Sequence, residues 1–436
     1  MTTVYRSEFD PKDSDEGGID AVGLTSMGAK LGQLYFPGLL ERHRRPRFLS
    51  LAVVGLSIKA DVENIIGSEE FETTFWEAYE WVIVTGLISS KDAGIKNLPS
   101  SDKAKKAMAE NKPLNANRYL VTPSVSGFHG VYKFLLESLG LEKDDLPGES
   151  CQQLLNAWAK DQNILGFIDG GGDGASERKD LIRIVAETIR RGEVARAWNY
   201  RGWNFIYDHF HPLKLGPTEK EVISNLLLSD ATRNDVLLFL QSKNGKKFIN
   251  DKSTKQRQYL TELKNESNGM LKKTIEVILS YEQFARTLND IFYDAIIELS
   301  ENTLGLTSIE ISKRIEFKNK NFSKLLHQNY ILAEEAILNH PDLNIKERFE
   351  TFHKFKVKFT LSDCVEAVLT HHLSIQKNKS TGAKNPWVFQ VEGRWMVRAS
   401  YAHKNQATHD ESLINFYRLN VLRLFFEDLG GINVKK

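Results

Sequence analysis

Hydrophobic residues recur at helical spacing along most of this chain. Clear examples are Leu24–Tyr35, the stretch Glu70–Ile88 and the amphipathic stretch Leu181–Trp198. Apolar side chains three and four residues apart share one face of a helix, so this pattern predicts a mainly α-helical protein. Further helices are predicted to begin after Pro46 and to run over Pro123–Leu139, Glu219–Leu228, Thr232–Gln241, Met270–Ser300, Thr307–Ile315 and Phe322–Leu338.

One stretch near the C-terminus has the composition of β-strands instead. In Pro386–Tyr401, β-branched and aromatic residues lie on both sides of Glu392 and Gly393. A two-residue connection that ends in glycine is typical of a tight hairpin turn. The predicted fold class is therefore mainly α, a multidomain helical protein with a small β-hairpin near the C-terminus.

The length of 436 residues predicts more than one domain. We predict a disordered acidic arm over 1–20, an N-terminal helical domain over 21–168, a glycine-rich hinge over 169–180, a central helical domain over 181–300 and a C-terminal helical domain over 301–436. The central domain carries a basic loop at 243–257. The C-terminal domain carries a segment like a helix-turn-helix at 305–326 and the hairpin at 386–401.

The glycine-rich stretch Asp169–Asp180 partly matches a calcium-binding loop. The five matching residues are Asp169, Asp173, Gly174, Glu177 and Asp180. The third loop position is Gly171, which has no side-chain oxygen for the ion. No Gly-Lys-Ser/Thr sequence is present, so the stretch does not match a nucleotide phosphate loop either. We interpret it as a hinge in which Ser176 caps the next helix, with calcium binding as the alternative.

Basic and acidic residues nearly balance over the whole chain, at 58 against 57. Attraction to nucleic acid must therefore come from local clusters. The longest apolar run, Phe48–Ile58, is far shorter than the roughly 20 residues of a membrane span. Two widely separated cysteines, Cys151 and Cys364, do not indicate a disulfide framework. We therefore expect a cytoplasmic protein that does not associate with a membrane.

Three basic groups are candidate surfaces for nucleic acid or a partner protein. They consist of Arg42, Arg44, Arg45 and Arg47; of Lys246, Lys247, Lys255 and Arg257; and of Lys318, Lys320 and Lys324. Guanidinium and ammonium groups bind phosphate oxygens, although such groups also serve as solvated or ion-paired surface residues.

The third group lies in the segment Gly305–Leu326, which has the pattern of a helix-turn-helix. A cap is expected at Thr307 or Ser308. A second helix over Lys318–Leu326 is expected to carry the basic residues on its exposed face. The side chains expected to face inward are Ile309, Ile311 and Ile315. The hairpin is distant in sequence, so we do not assign it to this segment.

Sequence signals for catalysis are few. The adjacent histidines His371 and His372 diverge on a helix and do not favour one shared ion. The letters Glu316-Phe317-Lys318 match part of a nuclease motif whose residues lie on strands, but their surroundings predict a helix. We predict no metal site and no cofactor, with a cryptic metal-dependent nuclease as an alternative.

The segment Asp20–Leu56 combines a Gly-Leu opening, a short helix, Phe36-Pro37-Gly38 and an arginine-rich entry to an apolar helix. It resembles bacterial proteins encoded in anti-phage defence islands, such as the accessory subunits of Druantia-type systems. The resemblance implies a non-catalytic component of a prokaryotic antiviral system. Such a component would bind other subunits, a helicase among them, or DNA, or both. A DNA-binding regulator that uses 305–326 is a second alternative.

Overall fold

The computed structural model describes residues 20–89, 98, 101–120, 127–251, 253, 255–318, 320–379, 384–402, 407 and 409–431. The acidic arm predicted at 1–20 lies outside this part of the chain, apart from its last residue. The described residues form nineteen α-helices and two small antiparallel sheets of two strands each. The mainly α fold class is therefore confirmed. No helix in these ranges is long and apolar enough to cross a membrane.

The chain forms two compact units, and each unit combines stretches that are distant in sequence. The first unit contains Met1–Tyr35 and Ser253–Tyr417. Its central element is the helix Gly269–Ser300, against which several other helices of the unit pack. Its helices are Thr25–Tyr35, Gln256–Glu266, Gly269–Ser300, Ser308–Lys318, Phe322–Leu338, Leu343–Phe349 and Leu361–Lys377, and its strands are Val388–Val391 and Arg394–Val397.

The second unit contains Phe36–Lys252 and Arg418–Lys436. Its central element is the helix Arg47–Ile66, which is apolar around most of its circumference and is largely buried. The other helices of this unit are Phe75–Ser89, Ser101–Ala109, Phe128–Ser138, Cys151–Asp161, Gly166–Asp169, Ala175–Arg191, Trp203–Phe210, Pro217–Leu228, Ala231–Gln241, Lys246–Asn250 and Leu419–Leu429. A short hairpin joins Glu142–Lys143 to Leu146–Pro147.

The predicted C-terminal hairpin is confirmed. Val388 pairs with Val397 and Val391 with Arg394, in antiparallel register. Glu392 and Gly393 form the turn, with φ angles of +49° and +76°. Two successive residues of positive φ give a turn whose twist matches that of the flanking strands. Local sequence therefore decides this element.

The glycine-rich stretch joins two helices of one unit. The helix Gly166–Asp169 ends on Gly170, and the next helix, Ala175–Arg191, packs against Arg47–Ile66 and Phe75–Ser89 of the same unit. The predicted hinge thus lies inside the second unit. The division into three helical domains stays a prediction. In the structure, residues 181–252 belong to the same compact unit as the helices between 47 and 168.

Two local expectations for the helix after the glycines are wrong. Its N-cap is Gly174, and Ser176 instead lies in the first turn, where its hydroxyl donates to Glu177 at 2.7 Å. The helix ends at Arg191, before the predicted end at Trp198. Gly192 takes a left-handed conformation, with φ of +68°, which terminates the helix.

Candidate nucleic-acid interface

The C-terminal hairpin contacts the predicted helix-turn-helix segment directly. Trp395 on its second strand forms an antiparallel bridge with Leu306, with N–O distances of 2.8 and 3.0 Å. Gly305 has φ of +71°, and a Cβ at this position would lie 2.7 Å from the carbonyl oxygen of Trp395. The close approach therefore requires glycine. The expectation that the hairpin is too distant in sequence to join this segment is wrong.

Polar contacts of Trp395 and Arg394 fix the hairpin in this place. The side chain of Trp395 is 1% exposed, and its Nε1 donates to Glu366 Oε2 at 2.8 Å. Arg394 donates to the carbonyl oxygen of Gly305 at 2.8 Å and pairs with Glu310 at 3.2 Å. The hairpin is thus anchored both to the start of one helix and to the helix Leu361–Lys377.

The first helix of the segment, Ser308–Lys318, begins as predicted with a side-chain cap. Thr307 Oγ1 accepts a hydrogen bond from the amide of Glu310 at 3.3 Å. The Glu310 carboxylate accepts one from the amide of Thr307 at 2.8 Å. This reciprocal arrangement satisfies two backbone donors that a helix N-terminus leaves open. The expected cap at Thr307 is therefore confirmed.

The isoleucines of this helix do not all face inward. Ile311 and Ile315 are fully buried, whereas Ile309 is 57% exposed. Two residues along a helix correspond to a rotation of about 200°, so a side chain two positions before a buried one points away from the core. The expectation for Ile309 is wrong for this reason.

The second helix, Phe322–Leu338, packs against Gly269–Ser300 through a buried face that includes Leu326 and Tyr330. Its N-terminal turn presents Lys324 and Leu325 to solvent. The N-terminal residues of the second helix are those that reach base edges in helix-turn-helix proteins. The packing therefore leaves Lys324 and Leu325 of this turn exposed, whereas Phe322 and Ser323 are buried.

A basic connection joins these two helices. We call the stretch 313–324 the basic turn; it contains five basic residues and one acidic residue, a net charge of +4. Lys320 and Lys324 are exposed. The expectation that the second helix begins at Lys318 is wrong, because Lys318 ends the first helix and the second begins at Phe322, after Asn321 in a left-handed conformation. Phe317, which precedes Lys318 in sequence, is 89% exposed. Exposed ammonium groups close in sequence to an exposed aromatic ring suit phosphate contact and base stacking.

The arginine group of the second unit divides into two exposed and two paired residues. Arg42 and Arg44 are exposed. Arg45 forms an ion pair with Asp428 at 2.5 Å, and both side chains are largely buried. Arg47 is completely buried and is paired with Glu219. Its guanidinium therefore does not reach the surface.

The Arg47 pair belongs to a buried polar network. Arg47 Nη2 donates to the carbonyl oxygen of His209 at 2.6 Å, and the amide of Glu219 donates to Asp161 at 2.8 Å. Burial raises the pKa of Glu219, although the charge of Arg47 lowers it. Burial also lowers the pKa of Arg47, against the effect of Glu219. These opposing effects are typical of an internal ion pair, in which each charge offsets part of the cost of burying the other.

The predicted basic loop at 243–257 is partly helical. Lys246 and Lys247 are exposed on the helix Lys246–Asn250 of the second unit. Lys255 and Arg257 belong to the first unit; Lys255 is exposed, and Arg257 Nε donates to the carbonyl oxygen of Glu411 at 2.5 Å. The stretch is therefore not one continuous surface loop.

Each half of this stretch borders an open groove of its own unit. Lys246 lines a groove of about 1010 Å³ in the second unit, together with Arg423 and Glu427. Arg423 donates to the carbonyl oxygens of Phe248 and Asp251 at 2.7 and 2.8 Å, so its charge is used within the fold. Lys255 and Arg257 line a groove of about 540 Å³ in the first unit. In each groove an arginine is hydrogen-bonded to backbone carbonyls, whereas Lys320 and Lys324 of the basic turn are exposed.

The two adjacent histidines have a structural role. His372 accepts a hydrogen bond from the amide of Trp387 at 2.8 Å, so its other ring nitrogen donates to Ala21 at 2.8 Å. His371 contacts the carbonyl oxygen of Val22 at 3.0 Å. Burial lowers the pKa of His371 to about 3 and of His372 to about 4. Both imidazoles are therefore neutral and bind the chain at 21–22 to the helix Leu361–Lys377.

The letters of the nuclease motif lie on a helix. Glu316 belongs to Ser308–Lys318, whose residues do not form strands, so this stretch lacks the strand geometry of that nuclease class. The carboxylates of the glycine-rich stretch also remain apart: Asp169 accepts from Gly171 at 3.0 Å, and Asp180 pairs with Arg183 at 2.8 Å. Neither stretch gathers ligands for an ion.

A different group of side chains lies close enough to hold one. His129, Glu142 and Asp145 in the second unit offer ligand atoms within 4.8 Å of one another, the one such group in the described residues. Hydrophobic periodicity did not reveal it, because His129 lies on a helix and the carboxylates lie on a separate hairpin.

No protein-family model, no curated protein and no solved structure matches this chain. The geometry of the described residues is therefore the basis for assigning a function. Of the sequence-predicted basic groups, the one at 318–324 lies at the junction of two helices, next in sequence to an exposed aromatic ring. That combination makes the basic turn the leading candidate interface.

Proposed function

We propose that this protein is a non-catalytic binding component that contacts double-stranded DNA through the basic turn. The observation that carries the proposal is the exposure of Lys320, Lys324 and Phe317 at the junction of two helices arranged in sequence as a helix-turn-helix. The net charge of +4 in this stretch contrasts with a nearly neutral chain. Local charge of this kind supplies the sequence-independent part of DNA affinity.

The anchored hairpin supports the same proposal. Trp395 and Arg394 hold the hairpin against the residues that precede the first helix. Both helices of the segment pack on Gly269–Ser300. Rigid elements keep recognition groups in register on a duplex. The exposed first-turn residues Lys324 and Leu325 of Phe322–Leu338 would face the major groove, and Lys320 would contact a nearby phosphate.

The biological setting is part of the proposal. The resemblance of Asp20–Leu56 to proteins of anti-phage defence islands supports a role in a prokaryotic antiviral system, in the cytoplasm, beside other subunits such as a helicase. Deletion of a required component abolishes protection, so plaque assays with the intact operon test this role. We expect the variant with Lys320→Ala and Lys324→Ala to lose protection, and an unchanged efficiency of plating would count against it.

DNA binding itself is measured by fluorescence anisotropy with a 25-base-pair duplex over a range of salt concentrations. Each lysine that contacts a phosphate adds about one to the slope of log affinity against log salt. The double variant Lys320→Ala, Lys324→Ala should therefore lower the slope by about two and weaken binding several-fold in low salt. No binding of the wild-type chain at low salt would refute the proposal.

A matched control separates a specific surface from general charge. Lys105 and Lys106 are two exposed lysines on the helix Ser101–Ala109 of the second unit. The variant Lys105→Ala, Lys106→Ala removes the same charge from a different surface. We expect it to retain the wild-type salt slope, and an equal loss in both variants would show that the basic turn has no special role.

A second candidate function is the binding of a partner subunit. Eight of the 18 exposed large apolar side chains among the described residues lie between Leu304 and Leu343. On the helix Phe322–Leu338 they include Leu332 and Leu338, which are 50% and 60% exposed. Exposed apolar residues concentrated on one segment are typical of protein interfaces. Co-purification with a subunit from the same gene cluster, lost on Leu332→Glu, would support this function.

A further inference from the structure

A short acidic hairpin of the second unit lies against the start of a helix. The hairpin joins Glu142–Lys143 to Leu146–Pro147, and its turn residues Asp144 and Asp145 have φ angles of +50° and +64°. Its first strand packs on the helix Phe128–Ser138. Aspartate tolerates left-handed backbone better than most residues do. The turn therefore brings a carboxylate back towards the first residues of that helix.

Three different ligand groups meet at this point. His129 Nε2 lies 2.9 Å from Glu142 Oε2, and ligand atoms of His129, Glu142 and Asp145 all lie within 4.8 Å of one another. The elements that carry them are fixed independently, by helix formation for His129 and by strand pairing for Glu142. Their convergence is therefore a property of the tertiary structure.

Trp76 holds two of these groups in place. Its ring stacks on the imidazole of His129, with centroids 3.5 Å apart and planes inclined by 7°. Its Nε1 donates to Asp145 Oδ1 at 2.7 Å. Outer contacts that fix the orientation of an imidazole and a carboxylate are characteristic of metal sites. The tryptophan would have that role here.

One carboxylate oxygen in the cluster has no hydrogen-bond partner. Glu142 is 2% exposed, and its Oε1 accepts no hydrogen bond. Lys133 Nζ lies 3.8 Å from this oxygen, beyond hydrogen-bond distance. A buried carboxylate oxygen without a donor is unfavourable, so its place in a fold calls for an explanation. A cation bound at the cluster supplies one.

The neighbouring lysine does not prevent an ion from binding. Lys59 Nζ pairs with Asp145 and also lies 3.7 Å from Glu63. A carboxylate has four lone-pair positions, so Asp145 can accept from Lys59 and Trp76 while an oxygen also ligates a metal. If a metal ion displaces the ammonium group of Lys59 from Asp145, Glu63 offers that group a second partner.

We propose that His129, Glu142 and Asp145 form a binding site for a divalent transition-metal ion of the Zn²⁺ class. Imidazole and carboxylate together favour Zn²⁺ over Mg²⁺ or Ca²⁺, which prefer oxygen ligands alone. The side chain of Asp145 is 38% exposed, which gives the ion a path from solvent. The bound ion joins the hairpin to the helix Phe128–Ser138 in the second unit.

The test uses the full chain, freed of metal by a chelator and desalted. Titration calorimetry with ZnCl₂ should show one ion bound per chain, and titration with Co²⁺ should produce visible absorption bands of a low-coordinate site. Glu142→Gln should weaken Zn²⁺ binding by at least about tenfold and abolish the Co²⁺ bands, because changes to outer contacts alone reach that magnitude. Mg²⁺ should not compete.

The matched control is Glu149→Gln, which makes the same chemical change at an exposed glutamate near the hairpin. It should bind Zn²⁺ like the wild-type chain. If circular dichroism shows that Glu142→Gln does not fold, Asp145→Asn replaces it, because that position is partly exposed. We expect the same loss of Zn²⁺ affinity in this variant. Absence of Zn²⁺ binding by the wild-type chain, or equal binding by the site variants and Glu149→Gln, would overturn the proposal.

Discussion

The buried pair Arg47–Glu219 gives the sharpest prediction about stability in the second unit. Both side chains are 0% exposed, so neither charge gains solvation from water. Replacement of Arg47 by methionine keeps much of the side-chain volume but leaves Glu219 inside without its cation. Removal of one partner from a buried pair costs about 3–5 kcal/mol of unfolding free energy.

Protonation of Glu219 sets an independent upper limit on the loss of unfolding free energy in Arg47→Met. Without Arg47, Glu219 can take up a proton, which for a carboxyl group of ordinary pKa costs about 4 kcal/mol at pH 7. The burial that already raises the pKa of Glu219 then acts unopposed by the arginine charge. The two estimates agree, so we expect a loss of about 4 kcal/mol at neutral pH, smaller by about 1.4 kcal/mol for each pH unit towards pH 5.

Urea unfolding followed by tryptophan fluorescence measures this loss, with the unfolding free energy extrapolated to water. The control is Arg44→Met, at an exposed position, which should change the free energy by less than about 0.5 kcal/mol. The double variant Arg47→Met, Glu219→Gln should recover most of the loss, because no charge then remains unpaired. A loss below about 1 kcal/mol for Arg47→Met, or a loss independent of pH, would show that Glu219 is not left as an unpaired buried charge.

Two further predictions concern buried groups that titrate in opposite senses. Burial raises the pKa of Glu80 to about 8, so the folded state holds a proton that the unfolded state releases above pH 4.5. The free energy of unfolding should therefore fall by up to about 1.4 kcal/mol per pH unit as pH rises from 4.5 to 8. Urea unfolding measures this slope, and Glu80→Gln should remove it. An unchanged slope would contradict the assignment. Burial lowers the pKa of His372 to about 4, so stability should fall as pH decreases from 6.5 to 4. Thermal unfolding at several pH values measures this fall, and His372→Gln should remove about half of it because His371 contributes similarly. An unchanged pH dependence in His372→Gln would contradict the assignment of a neutral His372.

Much of the local structure follows from short-range rules in the sequence. The hairpin turn at Glu392 and Gly393 and the cap at Thr307 each depend on residues within a few positions of one another, and both predictions are confirmed. Helix bounds were less predictable. The helix expected to end at Trp198 stops at Arg191, because one glycine in a left-handed conformation outweighs an amphipathic pattern that continues past it.

The sequence does not predict which residues of the basic groups are exposed and which are buried. Arg44 and Arg47 are three positions apart in one cluster of arginines, yet one is exposed and the other is buried against a glutamate more than 170 positions later. Composition gives both the same chance of contacting phosphate. The burial of Arg47 is set by the packing of its helix against the rest of the second unit, which no local pattern contains.

The sequence by itself determined the helical class, the positions of most helices, the hairpin and the basic character of 313–324, because periodicity, turn chemistry and charge act over a few residues. Tertiary structure decided which basic residues remain exposed, placed Trp395 beside Leu306, and gathered His129, Glu142 and Asp145. These outcomes depend on contacts between distant segments, whose geometry follows from the packing of whole helices against one another.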